Sequence, residues 1–230
     1  LTWNLASERA TITPGWAGQL GVERHTQTVW IAQSATVGAW AEFRPRRTGR
    51  LVLGYTADAG NPDAYQAAVN ARFEAWECDA VLFAGDNTYN DPEGTYGGLG
   101  NYDADWLAFA DWIDAGKAFP ALGTHDVDYD GWEDRHADKF PYLPGNGRYY
   151  KKTLGGGLVD LFVLHSGFNS VRDLVEEDGN EVGSVQHTWF VSELAGSTAR
   201  WKIAMFHLPP VTLNGEAGRA TPEMAWPELS

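Results

Sequence analysis

The run Val81-Leu82-Phe83-Ala84-Gly85-Asp86-Asn87-Thr88-Tyr89 constrains this chain more than any other stretch of it. A short apolar segment stops at a glycine and gives way at once to a carboxylate, then to a phenol. Apolar residues without alternation belong to a strand buried on both faces, as in a parallel sheet covered by helices. In open α/β sheets the carboxyl ends of such strands line the ligand cleft. The pattern recurs at Leu51-Val52-Leu53-Gly54-Tyr55-Thr56-Ala57-Asp58-Ala59-Gly60 and, less regularly, at Phe119-Pro120-Ala121-Leu122-Gly123-Thr124-His125-Asp126. One strand-end aspartate alone reads as a helix cap or turn residue. Three strand ends carrying ligands point instead to one metal centre.

The organisation of the chain follows from these strands. Asn61-Pro62-Asp63 supplies a helix start with Asp63 as the cap. Ala64 to Glu77 reads as the helix, with Tyr65, Ala68, Val69, Phe73 and Trp76 spaced to face a sheet. With the strand ending at Asp86 it forms a β-α-β unit. Residues 90–103, rich in Gly, Asn, Asp and Tyr, read as a loop over the strand ends, and 127–147 as a second loop. Asp103 to Lys117 reads as a helix with Trp106, Phe109, Ala110 and Ile113 on one face, followed by a strand that ends at Gly123. Residues 147–167 read as a hairpin turned at Gly155-Gly156-Gly157, Ser184 to Leu194 as a helix, and Trp201 to Phe206 as a strand delivering His207 before Pro209-Pro210. The first fifty residues differ in texture: 26–32 and 37–43 are aromatic and alternating, which favours strands, and Arg44-Pro45-Arg46-Arg47 reads as a linker. The expectation is a β-rich appendage over 1–50, or the end of a preceding β domain, and an α/β domain over 51–230.

A formal charge of −14 argues against binding nucleic acid or an anionic membrane. It does not argue against phosphate chemistry, because bound cations reverse the local field around a cluster of acids. No apolar run approaches the roughly 20 residues that span a bilayer. The only cysteine, Cys78, excludes an intrachain disulfide and reads as a buried thiol beside the strand that follows it. The 11 Trp imply large rigid contact surfaces; Trp3, Trp16, Trp30 and Trp40 read as packing against the α/β domain or a partner chain. With neither an initiator Met nor a signal-peptide pattern at Leu1, the chain reads as a segment of something longer. The composition favours a secreted enzyme or part of an extracellular or viral assembly.

The strand-end residues divide by their chemistry. Asp58, Asp86 and Tyr89 are hard oxygen donors suited to a highly charged ion, and His125 and His207 supply imidazoles suited to Zn, Fe or Mn. Asp86, in the middle of the set, has two oxygens with which to bridge two cations. His25, His136 and His187 read as surface or packing residues, and His165 as a structural residue at the end of its strand.

Asp58-Ala59-Gly60, Gly85-Asp86-Asn87-Thr88-Tyr89, Gly123-Thr124-His125-Asp126 and the strand from Ile203 to His207, with its two prolines, resemble the calcineurin-like metallophosphoesterase superfamily. Gly60 and Tyr89 resemble its purple acid phosphatase branch, and Phe140 to Tyr150 and Gln186 to Phe190 are similar as well. The resemblance implies a four-layer αββα sandwich and a phosphoric ester hydrolase with two cations, Fe paired with Zn, Mn or Fe. A metal-bound hydroxide would be its nucleophile. Asp58 and Tyr89 would hold the first cation, Asp86 would bridge, and His207 would hold the second. His125 would act on the substrate phosphate, with Asp126 orienting it. The family's Asn stands here as Thr124, a weaker donor to the second cation, and the family's last motif, Gly-His-x-His, is absent. On that resemblance the sandwich is C-terminally incomplete and the chain inactive by itself, with a partner chain or a further C-terminal segment completing the site. The alternative is a non-catalytic structural or binding module built on the same fold.

Overall fold

A computed structural model describes residues 2–3, 20–23, 28–32, 40–42, 50–60, 64–89, 102–127, 132–166, 178–210 and 224–229. The chain forms two compact units, Leu1–Thr48 and Gly49–Ser230. The first contains one sheet in the order β1 (Thr2–Trp3), β2 (Leu20–Glu23), β3 (Thr28–Ala32), β4 (Trp40–Glu42). The two alternating aromatic runs are β3 and β4, paired antiparallel with Trp30 opposite Glu42 and Ala32 opposite Trp40. The basic run 44–47 and the side chains of the four N-terminal tryptophans lie outside the described residues, as does His25.

The second unit holds two three-stranded sheets. In one, β5 (Leu53–Thr56), β6 (Ala80–Ala84) and β7 (Ala118–Ala121) are parallel, with β6 central. In the other, β9 (Val159–Val163) is central, antiparallel to β8 (Tyr150–Leu154) and parallel to β10 (Trp201–Met205). The helices are α1 (Ala64–Ala75), α2 (Tyr102–Asp105), α3 (Ala110–Asp114), α4 (Trp132–Lys139) and α5 (Val185–Gly196).

The alternation of a strand about its own axis explains the layering. Ala80, Leu82 and Ala84 of β6 face Leu161, Val163 and Met205 of the other sheet. Val81 and Phe83 point the opposite way and pack with Phe73 of α1 and with Trp106, Phe109 and Trp112. On the far side, Phe162 and Leu164 meet Phe190 of α5, joined by Met224 and Trp226. The order is helices, sheet, sheet, helix, an αββα sandwich. Every residue of β6 is buried, which is why its sequence is apolar without alternation.

Three expectations are corrected. The helix from 64 ends at Ala75, and of its described residues only Gln66 and Phe73 are buried; Tyr65, Val69 and Trp76 face solvent. The helix over 103–117 is broken into α2, a 3₁₀ turn at Leu107–Phe109, and α3. Of the expected face, Trp106, Phe109 and Ile113 are nonetheless buried, joined by Trp112. Gly116, at φ 64°, follows the close of α3 at Asp114, three residues short of the expected end at Lys117. The loop over 127–147 contains α4, which buries Trp132 and His136. Residues 61–63 and 90–101 lie outside the described residues.

Candidate metal centre

The carboxyl ends of β5, β6 and β10 converge. Asp58, Asp86 and His207 each present a ligand atom, and these atoms lie within 4.8 Å of one another. The backbone pays for this in conformation: Asp58 and Asp86 have φ of 53° and 50°, in the left-handed region that non-glycine residues seldom occupy. Strain of this kind persists where the surroundings over-determine it, commonly at functional sites. The two turns are stitched together by the Asp58 N–H donating to the Gly85 carbonyl at 3.0 Å and the Gly60 N–H to that of Asp86 at 3.2 Å.

Two glycines make the convergence sterically possible. Gly85, at φ 88°, lies against His207, so a Cβ there would sit 2.5 Å from the His207 Cβ. Gly123 lies against Asp86, and a side chain there would collide with its backbone nitrogen and carboxylate. The glycine that stops each apolar run is thus the contact surface for the next ligand loop.

His207 has a defined tautomer. Its Nδ1 lies 2.9 Å from the Ala84 carbonyl, which only accepts, so Nδ1 carries a proton and Nε2 is the ring atom that faces the site. Nε2 is 3.3 Å from Asp86 Oδ2. Burial acts to lower the His207 pKa, but the hydrogen bond and charge of Asp86 outweigh it and raise it to about 9. Burial acts to raise the carboxyl of Asp86, yet His207 and the His125 N–H, which donates to Oδ1 at 2.9 Å, hold it below its ordinary range. Without a cation, then, imidazolium and carboxylate neutralise each other. A metal ion can take the place of that proton.

Tyr89 donates its hydroxyl to Asp58 Oδ1 at 3.3 Å, and its ring lies 4.9 Å from that of His125. Burial, followed by the charges of Asp86 and Asp58, pushes the phenol above its ordinary pKa. A positive charge beside it would act in the opposite direction and favour the phenolate. The donor set of two carboxylates, a phenol and an oriented imidazole fits a hard or borderline cation.

Asp126 is buried in the 3₁₀ turn His125–Val127. Its carboxylate accepts from the N–H groups of Asn87, Thr88 and Gly123, from Asn87 Nδ2 and from Thr88 Oγ1, and none of these donors is the His125 ring. It ties the β6 loop to the β7 loop. Thr124 is half-buried between Gly123 and His125. His165 is buried at the end of β9, its N–H bonded to Gln186 and its ring facing Trp132. His136 and His187 are packing residues, His136 against the Gly147 carbonyl and His187 beside Trp226.

Two residues around the site went unread in the sequence: Gln66 and Asp105, both buried and both bonded to the ligand loops. A polar residue at the buried position of an otherwise exposed helix was the available signal. Residues 51–226 match the family model for calcineurin-like phosphoesterases. No curated protein matches the sequence.

Proposed function

This chain belongs to the calcineurin-like phosphoesterase family, and from that membership we propose that it hydrolyses phosphoric esters with two cations, in the manner of the purple acid phosphatases. The observation that carries the proposal is the convergence of Asp58, Asp86 and His207 from three strands of two sheets. The Tyr89 hydroxyl beside Asp58 supports the branch. Asp58 and Tyr89 would hold an iron, and His207, with the weak donor Thr124, would hold Zn, Mn or Fe. Asp86 would lie between the two. When bound, such a pair supplies Lewis acidity toward water and toward the phosphoryl oxygens.

The protein's own groups do the rest. The Ala84 carbonyl keeps the Nε2 of His207 available as a ligand atom. The backbone N–H of His125 donates to the Asp86 carboxylate, and the ring of Tyr89 flanks its imidazole, which supports a role for His125 toward the substrate phosphate. His125 would give a hydrogen bond to the phosphate and a proton to the departing alkoxide. Asp126 holds the two loops in register. Thr124 favours a second reading, a non-catalytic structural or binding module built on the same fold, since a hydroxyl is a poorer ligand than an amide carbonyl.

The test is metal analysis of the full chain after loading with iron and zinc, together with p-nitrophenyl phosphate hydrolysis. The expected result is bound metal, with turnover once a partner chain or a further C-terminal segment supplies the absent histidines, and with Asp86→Asn lowering occupancy of both cations and Tyr89→Phe removing a visible charge-transfer band. Bound metal without hydrolysis in the completed site would favour the second reading. A completed site that takes up neither metal would overturn the enzyme reading and leave the second.

A further inference from the structure

We propose that Gln66 and Asp105 are positioning residues, a brace that holds the Tyr89 phenol against Asp58. The inference rests on the reading of Asp58 and Tyr89 as partners at one cation. Tyr89 and Asp58 stand on different loops, and their direct tie is a single bond of 3.3 Å. The backbone bonds from Asp58 to Gly85 and from Gly60 to Asp86 join the loops at the aspartates but do not reach Tyr89, three residues further on. Gln66 lies in α1 and is buried, although most of that helix faces solvent. A buried carboxamide is costly unless it is bonded. Both hydrogens of its Nε2 are used, one on the Ala59 carbonyl at 2.7 Å and one on the Asp105 carbonyl.

Ala59 sits between Asp58 and Gly60, so the first bond pins the β5 loop beside its ligand. The second pins the end of α2. The buried carboxylate of Asp105 then accepts the Tyr89 N–H at 3.3 Å. One side chain on one helix therefore joins the loop that carries Asp58 to the segment that holds Tyr89. A group serving only to seat α1 would not need to reach both.

Asp105→Ala, Asp105→Asn and Gln66→Leu in the full chain test this, with two readouts. In the metal-free protein, Asp105→Ala should raise amide hydrogen exchange at Tyr89 roughly tenfold, the loss of about one hydrogen bond, while Val81–Ala84 keep their rates. Asp105→Asn retains a carbonyl acceptor and should restore protection. Gln66→Leu should loosen Tyr89 in the same way. In the ferric protein, Asp105→Ala and Gln66→Leu should shift or weaken the tyrosinate band, and Asp105→Asn should return it. Unchanged exchange at Tyr89, or exchange that rises equally throughout β6, would overturn the brace. If the parent chain takes up no iron, the metal reading fails, and exchange in the metal-free protein still decides the brace.

Discussion

A buried carboxylate with no partner is among the least tolerable groups in a protein, and Asp126 shows how many partners one can gather. Burial pushes its carboxyl up to about 7, and the backbone N–H groups of Gly123 and Thr88 act in the opposite direction. Asp126→Ala would strand those groups and the Asn87 N–H without acceptors in a dry site. We expect a loss on the order of 3–5 kcal/mol in denaturant unfolding, as when one partner of a buried network is removed. A change under about 0.5 kcal/mol, typical of an unconstrained surface position, would refute the joining role. At this scale the ligands were legible in the sequence because their chemistry is local: a hard donor placed directly after a buried strand. The partners of Asp126 were not legible, because they depend on how closely Gly123 approaches Asp86.

Helix ends carry their own logic. The Cys78 N–H donates to the Phe73 carbonyl at 3.1 Å and the Glu77 N–H to Glu74 at 2.9 Å, the pair of bonds that closes a helix with a left-handed residue. That residue is Glu77, at φ 51°, where glycine is the usual occupant. The left-handed conformation costs an L-residue about 1–2 kcal/mol. Glu77→Gly should therefore stabilise the fold by roughly 0.5–1 kcal/mol, somewhat less than that because glycine also frees the unfolded chain. A lower melting temperature for the variant would contradict this. In the sequence the helix itself was visible but its inward face was not: Tyr65, Val69 and Trp76 keep helical spacing and still face solvent, whereas Gln66 and Phe73 turn inward. Periodicity reports that a face exists, and packing decides which one.

Between the two sheets and their flanking helices, the molecule buries His136 and His165, which burial lowers to about 4 and about 3. Between the ordinary histidine value near 6.5 and these values, the unfolded chain binds protons that the folded chain does not. Stability therefore rises with pH across that window and is lost as pH falls through it. Asp126 works the other way, since its raised pKa lets the fold bind the extra proton. The clean comparison is thus between the parent and His136→Gln, whose amide can still donate to the Gly147 carbonyl. The variant should show a shallower decline from about pH 6.5 to 4, by up to one proton or about 1.4 kcal/mol per pH unit. Equal slopes would remove His136 as a cause. Among the described residues no helix is long and apolar enough to cross a membrane. The C-terminal Trp226 instead fills the outer layer, its indole N–H donating to the Asn180 carbonyl at 2.8 Å.

The sequence by itself determined which strands are buried and which donors stand at their ends, because burial on both faces and ligand chemistry are written in consecutive residues. It also carried the family. The tertiary structure decided how the ends meet: Gly85 against His207, Gly123 against Asp86, and Gln66 reaching Ala59 and Asp105. Apart from the bond from Gln66 to Ala59, these contacts join residues far apart in the chain, and each depends on loop paths that no local preference specifies. The strand ending at Gly85-Asp86 was readable as a ligand-bearing strand, and only the fold shows what holds its aspartate in place.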